Sequence, residues 1–427
     1  MKIILANFIH IYQPPTQSKR MLDKIVNESY WKILEILKNN PPIKINLNVA
    51  GCLLDLFAKF GHKKIIQEIK NLVQKDQIEF VSSAKYHAFL PLLPENEIKR
   101  QIELNEKTCK KFFGKLWNAE GFHIPEMAYS RKVAKIVEGF GYKWILANET
   151  SYNGKLFSDL DFTKTYKIKN SSLKIFFRDR RISDLFNEGL LSNTDDFLKN
   201  VQKEISPREY LILATDGEIY GHQRPGLENI LAQIYRLHEV NPIFISKLPS
   251  LYPEEKEVKP VPSTWASMES EIKNKIYYAQ WKYPRNPIHK MQWELTILAI
   301  NAVENYKYKK SKDWKRARNL LDQGLHSCQY WWGSTSPWWD IRNIEAGAHQ
   351  LIEAIQSLKM INKNILERGK NLYQKIIFTA FDWERSGRAH RRSIKYTEKI
   401  EKELYGEIRP ATKEALELLN KKLESHF

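Results

Sequence analysis

Across residues 3–248, short runs rich in β-branched and aromatic residues alternate with helical stretches, and after about residue 270 the β-rich runs stop. Strands that must wait for a helix before the next strand pair in parallel, so this alternation confines the first part of the chain to a parallel α/β architecture. The expected strands are "IILANF" (3–8), "KINLNVA" (44–50), "IEFVSS" (78–83), "LWNAEGF" (116–122), "KWILAN" (143–148), "LKIFFR" (173–178) and "EYLILAT" (209–215), with "PIFISKL" (242–248) as a weaker eighth. Seven such units predict a (β/α)7 distorted TIM-like barrel over residues 1–262, closed or nearly closed. In such barrels the chemistry collects on loops at the C-terminal ends of the strands.

The later segments "HKMQWELTILAINAVENY", "DWKRARNLLDQGLHSCQYWW", "IRNIEAGAHQLIEAIQSLKM", "NKNILERGKNLYQKIIFTAFDWERSG" and "TKEALELLNKKLESHF" carry apolar residues at helical spacing. They predict a helical C-terminal domain over 263–427, expected to complete the active-site cleft. The proline- and charge-rich stretch 248–264 reads as the link between the two.

A length of 427 residues with 42% hydrophobic content is enough to bury a large core and excludes a disordered chain. The formal charge of +18 raises nucleic acid or an acidic surface as partner, but the lysines are spread along the chain and only "YKYKKSKDWKRAR" and "GRAHRRSIKY" are dense. Without a nucleic-acid-binding motif these read as solvated helix faces, and nucleic acid is not expected as a partner. Cys52, Cys109 and Cys328 are odd in number and far apart, which excludes a disulfide framework and a zinc knuckle and suits a cytoplasmic protein. The opening "MKIILANFIHIYQPP" lacks a small-residue cleavage site and reads as a strand. No apolar stretch approaches the roughly 20 residues that span a bilayer, so no membrane is expected as partner.

The expected strand ends are polar. The first delivers His10, Tyr12 and Gln13, the third Tyr86 and His87, the fourth His123 and Glu126, the sixth Arg178 and Asp179, and the seventh Asp216, Glu218 and His222. Each has a bland reading: a core histidine, a carboxylate at a helix start, an Asp-Gly turn, an ion pair. Their conjunction at one rim is harder to obtain from turn chemistry alone. Neither an H-E-x-x-H spacing nor an aspartate with an H-x-x-x-H pair occurs, so no metal or other cofactor is expected, and no nucleophile elbow or phosphate loop is present. A carboxylate pair among histidines, tyrosines and some of the twelve tryptophans has the composition of a sugar site. Trp265, Trp331 and Trp332 are the candidate stacking tryptophans, the last two equally readable as a hydrophobic seam.

These segments resemble glycoside hydrolase family 57, whose members act on α-glucans and related α-linked sugars. "HIYQPP" resembles the family's opening H-x-H-Q-P, with Tyr12 where the second histidine usually stands; "IEFVSSAKYHAFLPLLP" resembles the second motif, "GFHIPEMAYS" the nucleophile motif and "TDGEIYGH" the acid/base motif. "SCQYWWGSTSPWW" is a poorer match to the fifth. The resemblance implies Glu126 as nucleophile and Asp216 as general acid/base of a retaining double displacement on an α-glucan or maltooligosaccharide. It implies sugar contacts from His10, Tyr12, Gln13, His87, His123, Glu218, His222, Arg178 and the three tryptophans. A retaining pair stands roughly 5–5.5 Å apart, so only closure of the barrel can join carboxylates separated by ninety positions (216 − 126). The nearby charge of Glu126 and the surrounding aromatics are both expected to raise the pKa of Asp216. The alternatives are a polysaccharide deacetylase-like barrel, which would need a metal, and a non-catalytic carbohydrate-binding relative.

Overall fold

Parallel pairing organises the first unit of the chain. The computed structural model describes residues 2–156, 158–204 and 209–400, and these divide into two compact units, Met1–Trp265 and Ala266–Phe427. The expected helix "TKEALELLNKKLESHF" lies outside the described residues.

The first unit contains β1 (Ile3–Ile11), β2 (Ile45–Val49), β3 (Ile78–Ser82), β4 (Gly121–His123), β5 (Trp144–Asn148), β6 (Thr165–Ile168), β7 (Lys174–Arg178), β8 (Tyr210–Asp216), β9 (Val240–Ile243) and β10 (Glu255–Val258). Their order is β10-β6-β7-β5-β4-β3-β2-β1-β8, with β9 also beside β1. The β6–β7 pair is antiparallel and the others are parallel. The seven strands expected from the alternation are the staves of the distorted barrel: β1–β5, β7 and β8. Between β7 and β8 the wall is joined by the Asp179 amide, which donates to the Ile212 carbonyl at 2.9 Å, and by Ala214 N–H donating to Ser183 Oγ at 3.1 Å.

Side chains alternate across a strand, and this decides what faces the interior. Ala6 and Phe8 of β1, Trp144 and Leu146 of β5, Phe176 of β7, and Ile212 and Ala214 of β8 pack in one inner cluster. Leu5, Ile9, Ile45, Leu47, Leu211 and Leu213 belong to a second cluster that includes residues of the surrounding helices, such as Leu53 and Leu72. Carrying the inner alternation one step further along each strand reaches His10, Asn148, Arg178 and Asp216. The fold therefore places polar groups at the C-terminal end by register alone.

Four expectations are corrected. The fourth strand is not 116–122 but Gly121–His123, preceded by a 3-10 turn at Gly114–Leu116; at Gly121 a Cβ would stand 2.1 Å from the Trp144 ring, so only glycine lets β4 approach β5 there. The weak eighth strand pairs beside β1 only as Val240–Ile243 and turns away at Ile245–Lys247. The strands β6 and β10 were not expected. The 248–264 stretch is no free link: it carries the helix Leu248–Leu251 and β10, whose Glu255 pairs with Lys174 and with Lys167. Its tail is tied to the barrel unit through Val261 N–H to Ser151 O at 2.7 Å and an antiparallel bridge between Tyr129 and Ser263.

The second unit is helical among its described residues: Glu269–Lys273, Pro287–Glu304, Lys312–Gly324, Cys328–Trp331, Ile341–Gln356, Lys363–Arg385 and Arg388–Ile400. Side-chain caps start the longer helices: Asn286 accepts from Ile288 and His289, Ser311 from Trp314, Asp340 from Arg342 and Asn362 from Asn364. The stretch expected as one helix over 313–332 breaks after Gly324, whose missing side chain lets Leu351 approach to 3.2 Å of a would-be Cβ. Among the described residues no helix is long and apolar enough to cross a membrane.

Candidate active site

The rim is built around His10. It pairs in register with Asn48 of β2 on one side and with Asp216 of β8 on the other. Its Nδ1 lies 2.7 Å from Asn48 Oδ1, and Asn48 donates its own amide N–H to the Val81 carbonyl at 2.6 Å. That second bond fixes which way the amide points. Asn48 therefore offers His10 an acceptor, and the His10 proton sits on Nδ1. Burial lowers the pKa of His10, with the Asp216 charge and the Asn48 bond opposing, and lowers that of His123 further. Both imidazoles are neutral near pH 7.

His87 and Glu126 reach the rim on strained backbone. Their φ values are +53° and +62°, and Met127 follows at +46°. Non-glycine residues in the left-handed region cost of order 1–3 kcal/mol and persist where surrounding contacts hold them. Here the contacts are visible. The His87 ring stacks on Tyr12 at 4.4 Å and on His10 at 4.9 Å, and its Nδ1 lies 3.6 Å from Glu126 Oε1. Trp265 holds the other oxygen: its indole N–H donates to Glu126 Oε2 at 2.7 Å, and its backbone N–H donates to the Glu126 carbonyl at 3.1 Å. His123, at the end of β4, has its ring 5.0 Å from those of His10 and Phe8.

Asp216 ends β8 with its side chain open to solvent, while the protein around it crowds the carboxyl and raises its pKa above the usual aspartate value. Exposure and crowding pull in opposite directions at this carboxyl, and the crowding decides the direction. The charges acting on Asp216 are those of His10 and Arg178, and both lower the pKa. Of the two causes expected to raise it, the crowding of the carboxyl by protein does so, and the charge of Glu126 is not among those acting on it.

Glu218 differs from its neighbour in exposure and in hydrogen-bond partners. It is buried, and its Oε1 accepts from Gln13 Nε2 at 3.0 Å and from the Tyr30 hydroxyl. Burial first and the Asp216 charge second push its pKa to about 7, with those hydrogen bonds opposing. Gly217 between them opens the 3-10 turn Gly217–Ile219, its carbonyl accepting from Tyr220 N–H at 3.1 Å, and it is also closely packed: a Cβ there would stand 2.4 Å from Ile11 Cγ2, and its carbonyl accepts from Ser29 Oγ at 2.6 Å.

The other expected residues have partners of their own. His222 contacts Glu28 at 2.6 Å. Arg178 is fully buried, donating to Asn148 Oδ1 at 2.8 Å and to Asp184 at 3.0 Å. The ion pair foreseen between Arg178 and Asp179 is replaced by Arg178–Asp184, because Asp179 caps the helix Arg180–Asn187. Within the helical unit Trp331 packs its ring 5.1 Å from Trp281, and Trp332 packs 5.9 Å from Trp338. Sequence reasoning missed Asn48, Asn148 and Tyr30. The two asparagines were within reach by counting alternate positions to the ends of "KINLNVA" and "KWILAN"; Tyr30, inside a helical run, gave no signal.

A profile of glycosyl hydrolase family 57 matches residues 6–259, more than half of the chain. The chain belongs to glycosyl hydrolase family 57. Within family 57 it is distant from characterised relatives: it is 20% identical to an α-amylase of Pyrococcus horikoshii over 215 residues, 50% of this chain and 33% of that one. The alignment thus spans about a third of the relative's length. Its fold is similar to that of 4-α-glucanotransferase from Thermococcus litoralis, with a TM-score of 0.68 at 16% identity over 84% of this chain and 60% of that one. It is also similar to a family 57-type branching enzyme from Pyrococcus horikoshii, with a TM-score of 0.66 at 15% identity over 89% and 97% of the two chains. At these identities the structural likeness concerns fold.

Proposed function

We propose that this family 57 chain is a retaining glycosidase or transglycosylase acting on α-linked glucan by double displacement, with Glu126 as nucleophile and Asp216 as general acid/base. The observation that carries the reading is the run of contacts between the two carboxylates. Glu126 borders His87, His87 stacks on His10, and His10 pairs in register with Asp216. The named activities of its relatives, α-amylase and 4-α-glucanotransferase, support the substrate class.

In the first step Glu126 attacks the anomeric carbon while Asp216 gives its proton to the departing oxygen. The indole of Trp265 holds Oε2, and Oε1, beside His87, is the oxygen that attacks. In the second step Asp216 takes a proton from water or from a sugar hydroxyl, and the glycosyl group leaves Glu126 with retained configuration. The crowding that raises the Asp216 pKa keeps a larger share of it protonated for the first step. Glu218, tied to Gln13 and Tyr30, serves as a buried neighbour of Asp216 and leaves the proton transfer to it.

The test is NMR of the first anomer formed from a maltooligosaccharide, together with Glu126→Ala in the presence of azide. A first-formed α-anomer and a β-glycosyl azide from the variant are expected. A first-formed β-anomer, or full activity in Glu126→Ala, overturns the assignment. Glucan binding without turnover across α-1,4 and α-1,6 substrates would favour a binding protein.

A further inference from the structure

We propose that His10, His87 and His123 form a binding site for one divalent transition-metal ion of the zinc type, and that the ion and the sugar exclude one another at the Glu126 rim. The binding clause stands on its own geometry; the exclusion clause rests on the sugar-site reading above.

The three imidazoles arrive from β1, from the loop after β3 and from the end of β4, and all are buried. One candidate ligand nitrogen from each lies within 4.8 Å of the other two. Tetrahedral zinc with Zn–N bonds of about 2.0–2.1 Å places its nitrogens roughly 3.4 Å apart. The nitrogens must close by up to about 1.4 Å (4.8 − 3.4), a distance on the scale of a side-chain rotation.

The nitrogens are presented in a usable way. Asn48 is locked by its bond to the Val81 carbonyl, so it accepts from His10 Nδ1 and leaves the His10 Nε2 lone pair free to bind. A carbonyl-type acceptor behind a ligating histidine is the arrangement that orients metal-bound imidazoles. His123 Nδ1 is buried and has no hydrogen-bond partner among the described residues. Glu126 borders the group through the 3.6 Å contact of its Oε1 with His87 Nδ1, supplying negative charge beside a dication. Imidazoles with one carboxylate suit zinc, copper or nickel over magnesium or calcium.

Sequence spacing could not show this. Positions 10, 87 and 123 match no ligand motif, because the ligands come from two strands and a loop that are distant in the chain.

The experiment uses the full chain freed of metal by dialysis against a chelator. Zn2+ is titrated by calorimetry, and Co2+ is titrated by visible absorption and then displaced with Zn2+. One equivalent of Zn2+ and a tetrahedral-type Co2+ spectrum are expected. His87→Gln and His123→Gln should abolish the signal. Asn48→Ala, which removes no ligand, should weaken binding ~10–100-fold. His62→Gln, which alters a histidine–carboxylate pair elsewhere, should bind as the wild type does. Circular dichroism on each variant separates lost binding from lost fold, and the wild-type stoichiometry tests the site even if a histidine variant fails to fold. No stoichiometric binding by the wild type, or unchanged affinity in Asn48→Ala and the folded histidine variants, overturns the site.

Turnover of maltooligosaccharide should fall in proportion to Zn2+ occupancy and return on chelation. Turnover that needs the ion, or that is indifferent to full occupancy, overturns the exclusion. One bound equivalent with no turnover in the metal-free chain would uphold the metal site and count against the glycosidase reading.

Discussion

Trp265 grips Glu126 twice, donating its indole N–H to the carboxylate at 2.7 Å and its backbone N–H to the carbonyl at 3.1 Å. The double contact holds a glutamate at φ +62°, and the backbone half survives any change of side chain. Trp265→Phe therefore removes the bond to the carboxylate while keeping an aromatic ring against the inner cluster. A hydrogen bond to a charged group is worth about 1.5–3 kcal/mol, so kcat/KM on maltooligosaccharide should fall roughly ten- to a hundredfold. Thermal unfolding should move little, and a large drop in melting temperature with unchanged kcat/KM would assign the contact to stability alone.

Asp216→Asn keeps the shape of the rim and removes the transferable proton. Loss of a general acid/base costs about 10²–10⁴-fold in rate, and the alkaline limb of the kcat/KM profile should vanish with it. A pH profile of the variant that retains the wild-type limb would move the assignment to another group.

Glu218 should make stability depend on pH. Its folded pKa, about 7, lies above the ordinary value of 4.5, so between those values the folded state holds a proton that the unfolded state has lost. Stability from this group is then lost as pH rises from about 4.5 to 7 and stays level above. Glu218→Gln removes the dependence while an amide can still accept from Tyr30. The gap in unfolding free energy between variant and wild type should shift in favour of the variant by up to about 3 kcal/mol from pH 4 to pH 8, measured by urea denaturation at each pH. A pH-independent gap would show that Glu218 titrates normally. Asp216 is the second cause of the rise, so Asp216→Asn should lower the Glu218 pKa in a carboxyl NMR titration.

Gly217→Ala should destabilise by about 1–3 kcal/mol, as overpacking does, because the new methyl group meets Ile11 Cγ2 at 2.4 Å. Ile11→Ala opens that space. In the double variant, the cost of Gly217→Ala should be largely relieved, as read by the midpoint of denaturant unfolding. Equal cost in both backgrounds would point to a backbone cause.

The sequence alone determined the seven staves and the helical second part, because the alternation of strand and helix and the period-2 pattern are local properties. It also determined that His10, Arg178 and Asp216 reach one end, since each closes a strand whose inner face can be counted. Only the tertiary structure decided what these groups do to one another. The charged segment Glu255–Val258 looked like a link because its partners, Lys167 and Lys174, are some eighty to ninety positions away. The same closure sets Trp265 on Glu126 and brings His10, His87 and His123 together. It also separates Asp216 from Glu218: two carboxylates two positions apart, one closing β8 and open to solvent, the other in the 3-10 turn after it and sealed beneath Tyr30 and Gln13. The sequence spacing of the two carboxylates does not tell them apart, whereas burial and hydrogen-bond partners come from elements distant in the chain, and those give each carboxylate its own surroundings.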